Sequence, residues 1–168
     1  MYRRSILSIS AMTMLGLAFA SSTAIAQQKS LKDQLVGAWT LVSTDTTSQS
    51  GTKQQPYGAN PKGILILDAG GRYAMVAGRP DRPKLKTPSQ ETTEELGAAA
   101  REFAGNFGTW SVSEADKTLT QRFEGALRPN NEGTEFKNSV SLSGDELKLT
   151  AVLPSTGTRF DIVYRRAK

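Results

Sequence analysis

Two side-chain amides interrupt the apolar faces of two neighbouring predicted strands. Gln121 shares the parity of Leu119 and Phe123, and Asn138 shares the parity of Val140. An amide in such a position needs a hydrogen-bond partner, because an unpaired buried polar group costs about 1–3 kcal/mol. Either the two amides bond each other or ordered water as structural residues of the core, or they orient a ligand at the polar end of an apolar pocket.

The residue types that are missing narrow the possible chemistry. The chain has 168 residues and contains 0 Cys and 0 His, which excludes disulfides, thiolate or imidazole metal sites, and catalysis by either side chain. The sequence shows no nucleophile elbow, phosphate-binding glycine loop or dinucleotide fingerprint. An enzyme would have to use a carboxylate or a tyrosine for acid–base work, and no spacing singles out such a pair. We therefore predict no metal and no cofactor, and we favour a binding function over catalysis.

The N-terminal segment is typical of a secretory signal peptide. Arg3-Arg4 precede an uncharged apolar stretch over residues 6–20, and Ala24-Ile25-Ala26 supplies the small residues of a cleavage site. The apolar stretch is short and interrupted by Ser, Thr and Gly, which disfavours a transmembrane anchor. We expect a signal peptide over residues 1–26, export to the periplasm or the extracellular space, and no stable membrane insertion of the mature domain, residues 27–168.

The mature chain alternates apolar and polar residues in eight short segments that turn residues separate. A period of two is typical of half-buried antiparallel strands, and eight strands close well into a small up-and-down barrel. An outer-membrane barrel would show the same alternation, but an aromatic content of 7% is too low for two aromatic girdles. The predicted strands are Ala38–Thr46, Gly63–Leu67, Arg72–Ala77, Phe107–Ser113, Thr118–Leu127, Thr134–Leu142, Glu146–Leu153 and Thr158–Arg165.

Two helices are predicted beside the strands. A short one covers residues 31–36, with Ser30 as its N-cap. A longer one covers Thr92–Phe103, between the third and fourth predicted strands, and an acidic first turn suits its N-terminus. An apolar stripe on the longer helix should pack against the barrel or close one mouth, and it consists of Leu96, Ala99, Ala100 and Phe103.

Short motifs follow one another along residues 35–149. They include Val36-Gly37-Ala38-Trp39, Pro56-Tyr57-Gly58, Gly71-Arg72-Tyr73, Phe107-Gly108-Thr109-Trp110 and Leu142-Ser143-Gly144-Asp145. In this order they resemble the bacterial and fungal lipocalin-like domain family. The resemblance implies a calycin-type barrel and suggests a small apolar ligand, and it implies no single reaction. Family members often carry a His and an Arg where Gln121 and Asn138 stand here, so a reaction that needs that pair is not expected.

The alternation also predicts which side chains face the interior, since a slip of one residue would turn charged side chains inward. If the ligand is an apolar acid, the guanidinium of Arg79 would pair with its carboxylate at the rim. The predicted ligand-binding residues are Tyr73, Arg79, Trp110, Gln121, Phe123, Asn138 and Tyr164.

Three functions remain open at this point. The leading hypothesis is an exported soluble barrel that binds a small hydrophobic ligand in its interior. The alternatives are an isomerase or hydrolase of a hydrophobic small molecule, and a filled barrel that acts through surface contacts. Nucleic-acid binding is not expected despite a net charge of +5, because the basic loop over residues 79–86 has no interleaved aromatic residues.

Overall fold

The computed structural model describes residues 29–86 and 90–168. The predicted signal peptide and its cleavage site lie outside the described residues. The helices are α1, Leu31–Leu35, and α2, Thr93–Arg101, and a short 3₁₀ turn covers Pro129–Asn131. The strands are β1 Gly37–Thr47, β2 Lys53–Gln54, β3 Lys62–Leu67, β4 Arg72–Gly78, β5 Phe103–Ser113, β6 Thr118–Ala126, β7 Glu135–Ser143, β8 Glu146–Val152 and β9 Arg159–Arg166.

The strands form one antiparallel sheet that closes on itself. Neighbours in the sheet are neighbours in sequence from β3 to β9, and β1 pairs with both β3 and β9. The short β2 adds only two pairs to the end of β1 and does not take part in closure. The predicted eight-stranded up-and-down barrel is therefore confirmed. One helix precedes its first strand, and the other connects β4 to β5.

The two ends of the barrel differ. At one end, which we call the floor, tight turns join β3 to β4, β5 to β6 and β7 to β8, and α1 lies before the first residue of β1. At the other end, which we call the mouth, the connections are longer and include β2, α2 and the 3₁₀ turn. The mouth is therefore formed by long connections, and the floor by tight turns and α1.

Trp39 and Arg166 hold the floor together. Trp39 is 0% exposed, and its Nε1 donates a hydrogen bond to the carbonyl of Leu35 at 2.8 Å. The guanidinium of Arg166 lies 4.1 Å from the centre of the Trp39 ring and donates to the carbonyls of Gln34 and Val36. These carbonyls belong to the C-terminal end of α1, whose last carbonyls have no partner within the helix. The two side chains thus fix α1 across the floor.

The N-terminal end of α1 is also fixed by side chains. Ser30 caps the helix by accepting from the N–H of Asp33, as predicted. The carboxylate of Glu114, in the turn between β5 and β6, accepts from the N–H groups of Leu31 and Lys32. A five-residue helix is not stable by itself, so these contacts and its buried Leu35 hold it in place.

A β-bulge interrupts the pairing of β5 with β6. Gly108 pairs with Phe123 and Phe107 pairs with Gly125, so Glu124 is the extra residue. The extra residue reverses the alternation that follows it. Leu127 shares the sequence parity of Leu119 and Phe123, which predicts an inward side chain. Because the bulge precedes it, Leu127 is instead 45% exposed, and Phe107 is 51% exposed with its ring over Gly125.

Helix α2 is shorter and less buried than the sequence predicted. Thr92 is its N-cap and forms a capping box with Glu95, but the helix ends at Arg101 and Phe103 begins β5. None of its residues is buried, and Leu96 is 49% exposed. The predicted packing of its apolar stripe is therefore wrong. The physical reason is that the stripe loses Phe103 to the strand and consists mainly of alanine, which gains little free energy from burial.

Candidate ligand-binding site

Six of the seven predicted site residues lie on the inner face of the barrel. Two of them, Trp110 and Tyr164, are 5% and 3% exposed. Trp110 donates from Nε1 to the carbonyl of Asp68 at 3.0 Å, and Tyr164 pairs across the sheet with Leu41 and Leu147. Both side chains belong to the packing of the floor. A contact between any of the six and a ligand remains a prediction.

Aromatic side chains line one side of the interior. The ring centres of Tyr73 and Phe123 are 6.5 Å apart, those of Phe123 and Phe136 are 6.5 Å apart, and those of Phe136 and Phe160 are 6.1 Å apart. We call these four residues the aromatic wall. Its three phenylalanines are only partly buried, although they face inward. These three rings therefore keep apolar surface that the protein itself does not cover.

The two amides contact each other. Asn138 Nδ2 donates a hydrogen bond to Gln121 Oε1 at 3.3 Å. Asn138 is 1% exposed and Gln121 is 6% exposed. We call them the amide pair. This is the first of the two alternatives that the sequence left open, but it does not satisfy both groups. Among the described residues, none donates a hydrogen bond to Asn138 Oδ1.

Two more buried polar atoms on the inner face lack a partner within the described chain. They are the hydroxyl of Tyr73 and Oδ1 of Asn106. Burial raises the pKa of the Tyr73 phenol, and the charge of Glu124 raises it further, so this hydroxyl keeps its proton at neutral pH. It is available both to donate and to accept.

Asn106 was not among the predicted site residues. The predicted strand began at Phe107, whereas β5 begins at Phe103, and Asn106 pairs across the sheet with the inward-facing Met75. The alternation of inward and outward residues, extended back from Trp110, places residue 106 inside the barrel. The sequence did not indicate that the strand begins before Phe107, and for this reason Asn106 is not among the predicted residues.

Arg79 lies at the mouth, directly after β4, and does not join the inner site. Its Nε is 3.4 Å from a carboxylate oxygen of Asp81 and 4.0 Å from one of Glu102. Two carboxylates already balance its charge, which weakens the predicted pairing with an acidic ligand.

Tyr57 also reaches into the barrel, from the connection between β2 and β3. It is half-buried and packs against the core. Burial raises its pKa, which the nearby Arg128 partly offsets. Burial and the neighbouring Tyr57 together raise the pKa of Tyr164. The sequence indicated Tyr57 only as part of a motif, because no periodicity links a loop residue to the interior.

The described inner face is almost free of charge. Its strands carry no inward-facing carboxylate or lysine, and Arg166 at the floor is its charged side chain. The described residues contain no cluster of three His, Cys, Asp or Glu that could hold a metal ion. Within the same residues, no helix is both long enough and apolar enough to span a membrane. The described inner face is thus apolar, apart from a few buried polar atoms and Arg166.

Comparison with known proteins places the chain in a family. The model of the lipocalin-like domain family matches residues 36–161. A lipocalin-like protein from Bacteroides uniformis is 15% identical, with 79% of this chain and 98% of that chain covered and a TM-score of 0.43. A fatty-acid-binding protein 1 from Echinococcus granulosus is 13% identical, with 81% and 99% covered and a TM-score of 0.38. A redesigned β-barrel is 14% identical, with 83% and 100% covered and a TM-score of 0.43. No curated protein matches the sequence. The family model covers most of the chain, and the protein therefore belongs to the lipocalin-like domain family.

Proposed function

We propose that this protein is an exported soluble barrel that binds one small hydrophobic molecule in its interior. The observation that carries the proposal is the contrast between the floor and the aromatic wall. Trp39, Leu65 and Leu147 at or near the floor are 0% exposed, whereas the phenylalanines of the wall are only partly buried. A molecule that covers these rings removes apolar surface from water at about 25 cal/mol per Å².

The interior supports binding better than catalysis. Acid–base catalysis needs a side chain that exchanges protons near neutral pH. The described inner face offers no carboxylate for this, and its tyrosines have pKa values raised further from neutrality by burial. A filled barrel has less support, because the phenylalanine rings of the wall keep exposed apolar surface that a ligand would cover.

Binding is testable with N-phenyl-1-naphthylamine, an uncharged dye that fluoresces strongly in apolar surroundings. We expect the wild-type protein to bind the dye, and Phe136→Ser to weaken binding about tenfold because one face of the site is lost. The matched control is Phe107→Ser, which removes the same side chain from the outer face. The measurement is a fluorescence titration of each protein.

The two variants separate an internal site from an external one. If Phe107→Ser weakens dye binding and Phe136→Ser leaves the affinity for the dye unchanged, the dye binds the outer surface and the proposed internal site is wrong. Circular dichroism of both variants confirms that each retains its strands before the affinities are compared.

Export is the second part of the proposal and depends on the N-terminal sequence. The small residues Ala24 and Ala26 predict cleavage before Gln27. Expression of the full chain in a bacterium, followed by N-terminal sequencing of the protein recovered outside the cytoplasm, should give Gln27 as the first residue. Recovery of the chain with Met1 in the membrane fraction would contradict it.

A further inference from the structure

We propose that the ligand is uncharged and carries a hydroxyl group, or a similar group that both donates and accepts, which the amide pair and Tyr73 bind. This inference depends on the proposed function, because it names the chemical class of the molecule held inside the barrel. It differs from the expectation that Arg79 would pair with an acid.

The polar atoms without partners lie beside the aromatic wall. Gln121 pairs across the sheet with Phe136, and Asn138 is two residues from Phe136 on the inner face of β7. Tyr73 contacts Phe123, which stacks on Phe136. An apolar molecule that covers the two phenylalanine rings therefore brings its own polar group to the amide pair or to the Tyr73 hydroxyl.

The atoms themselves select the polar group. Asn138 Oδ1 and Asn106 Oδ1 are carbonyl oxygens, which accept hydrogen bonds and cannot donate them. The Tyr73 hydroxyl does both. A ligand hydroxyl can donate to a carbonyl oxygen and accept from the phenol, so it offers both kinds of hydrogen bond that these buried atoms lack. An ether oxygen or a carboxylate has no proton to give to either asparagine.

A carboxylate would also lack a counter-ion. A charge buried without a partner is strongly unfavourable. Arg166 is engaged at the floor by the carbonyls of Gln34 and Val36, and Arg79 is held at the mouth by two carboxylates. The described inner face supplies no other cation. The lining therefore favours a neutral ligand over its acid.

Three probes that share a ten-carbon alkyl chain distinguish a hydroxyl, an ether and a carboxylate as the polar group of the ligand: 1-decanol, its methyl ether and decanoate at pH 8. Isothermal titration calorimetry of the wild-type protein should show decanol as the tightest. We expect the ether to bind about tenfold more weakly, which corresponds to the loss of one donated hydrogen bond. Decanoate should bind more than about tenfold more weakly than decanol, because its charge has no partner.

Variants assign the preference to named atoms. Asn138→Leu keeps the branched shape of the side chain and removes its carbonyl, together with the amide N–H that donates to Gln121. Tyr73→Phe removes one hydroxyl while keeping the ring. Asn138→Leu should bring the ratio of ether to decanol dissociation constants from about ten toward one, with little change for the ether, because it removes the acceptor of the ligand's proton. Tyr73→Phe should weaken the binding of decanol and of the ether alike and leave the ratio near about ten, because the oxygen of either probe accepts from the phenol. Ser139→Ala, on the exposed outer face beside Asn138, is the control and should leave the ratio unchanged.

The outcomes distinguish the two proposals. Decanoate binding as tightly as decanol, or an ether to decanol ratio that stays near ten in Asn138→Leu, would overturn the ligand class while leaving an internal hydrophobic site. Absence of binding by all three probes and by the dye would overturn the proposed function, and the ligand class with it.

Discussion

Trp39→Ala should lower the free energy of unfolding by about 3–5 kcal/mol, the range for removing a large aromatic side chain from a core. The cost combines three losses. The floor gains a cavity, Leu35 loses its hydrogen bond from the indole, and Arg166 loses the ring on which its guanidinium lies. Urea unfolding followed by circular dichroism measures the change, with m-values compared between variants.

Two controls divide this effect into its parts. Trp39→Phe keeps most of the volume and removes the indole N–H, so it should cost about 1–2 kcal/mol. Val152→Ala, on a side chain that is 57% exposed, should change stability by less than about 1 kcal/mol. If Trp39→Ala is no worse than Val152→Ala, then Trp39 does not hold the floor together.

Gly108→Ala should be the second most destabilising substitution, although it adds a single methyl group. A Cβ at this position would collide with the backbone carbonyl of Arg122, which cannot move without breaking the bulge between β5 and β6. Overpacking of this kind costs about 1–3 kcal/mol, and here the upper end applies because the obstacle is backbone. The melting temperature should fall by about 10 °C, which differential scanning calorimetry measures.

The control for Gly108 lies three residues earlier on the same strand. A Cβ on Gly105 would meet its nearest neighbour at 3.6 Å, an ordinary contact. Gly105→Ala should therefore leave the melting temperature unchanged or raise it slightly. An equal fall in melting temperature in both variants would show that a methyl group at either glycine of this strand is destabilising. The bulge would then not be the reason for the effect at Gly108.

The alternation of the sequence was sufficient to predict the barrel and most of its inner face. Burying one face of a strand specifies its register strongly, since a slip of one residue exchanges the two faces. Gln121, Asn138 and Tyr73 were placed correctly by this argument alone. The argument fails at a bulge, where one unpaired residue reverses the faces, and so Leu127 was placed on the wrong side.

Long-range contacts account for what the sequence did not predict. The more distant of the two carboxylates beside Arg79 belongs to Glu102, which lies at the far end of the α2 connection and is adjacent only in the folded chain. The end of α2 has a similar cause. Strand pairing of Phe103 with Gly78 takes the last residue of the predicted helix into β5. Helical periodicity alone gives no sign of that competition.

The arrangement of the first and last strands has a consequence for tethering. The N–H of Ala167 donates to the carbonyl of Ala38 at 2.8 Å, so the start of β1 and the end of β9 are side by side at the floor. A surface, a label or a second protein linked next to α1 or directly after β9 is therefore attached at the floor, opposite the mouth. Immobilised in this way, the barrel would present its mouth to the surrounding solution.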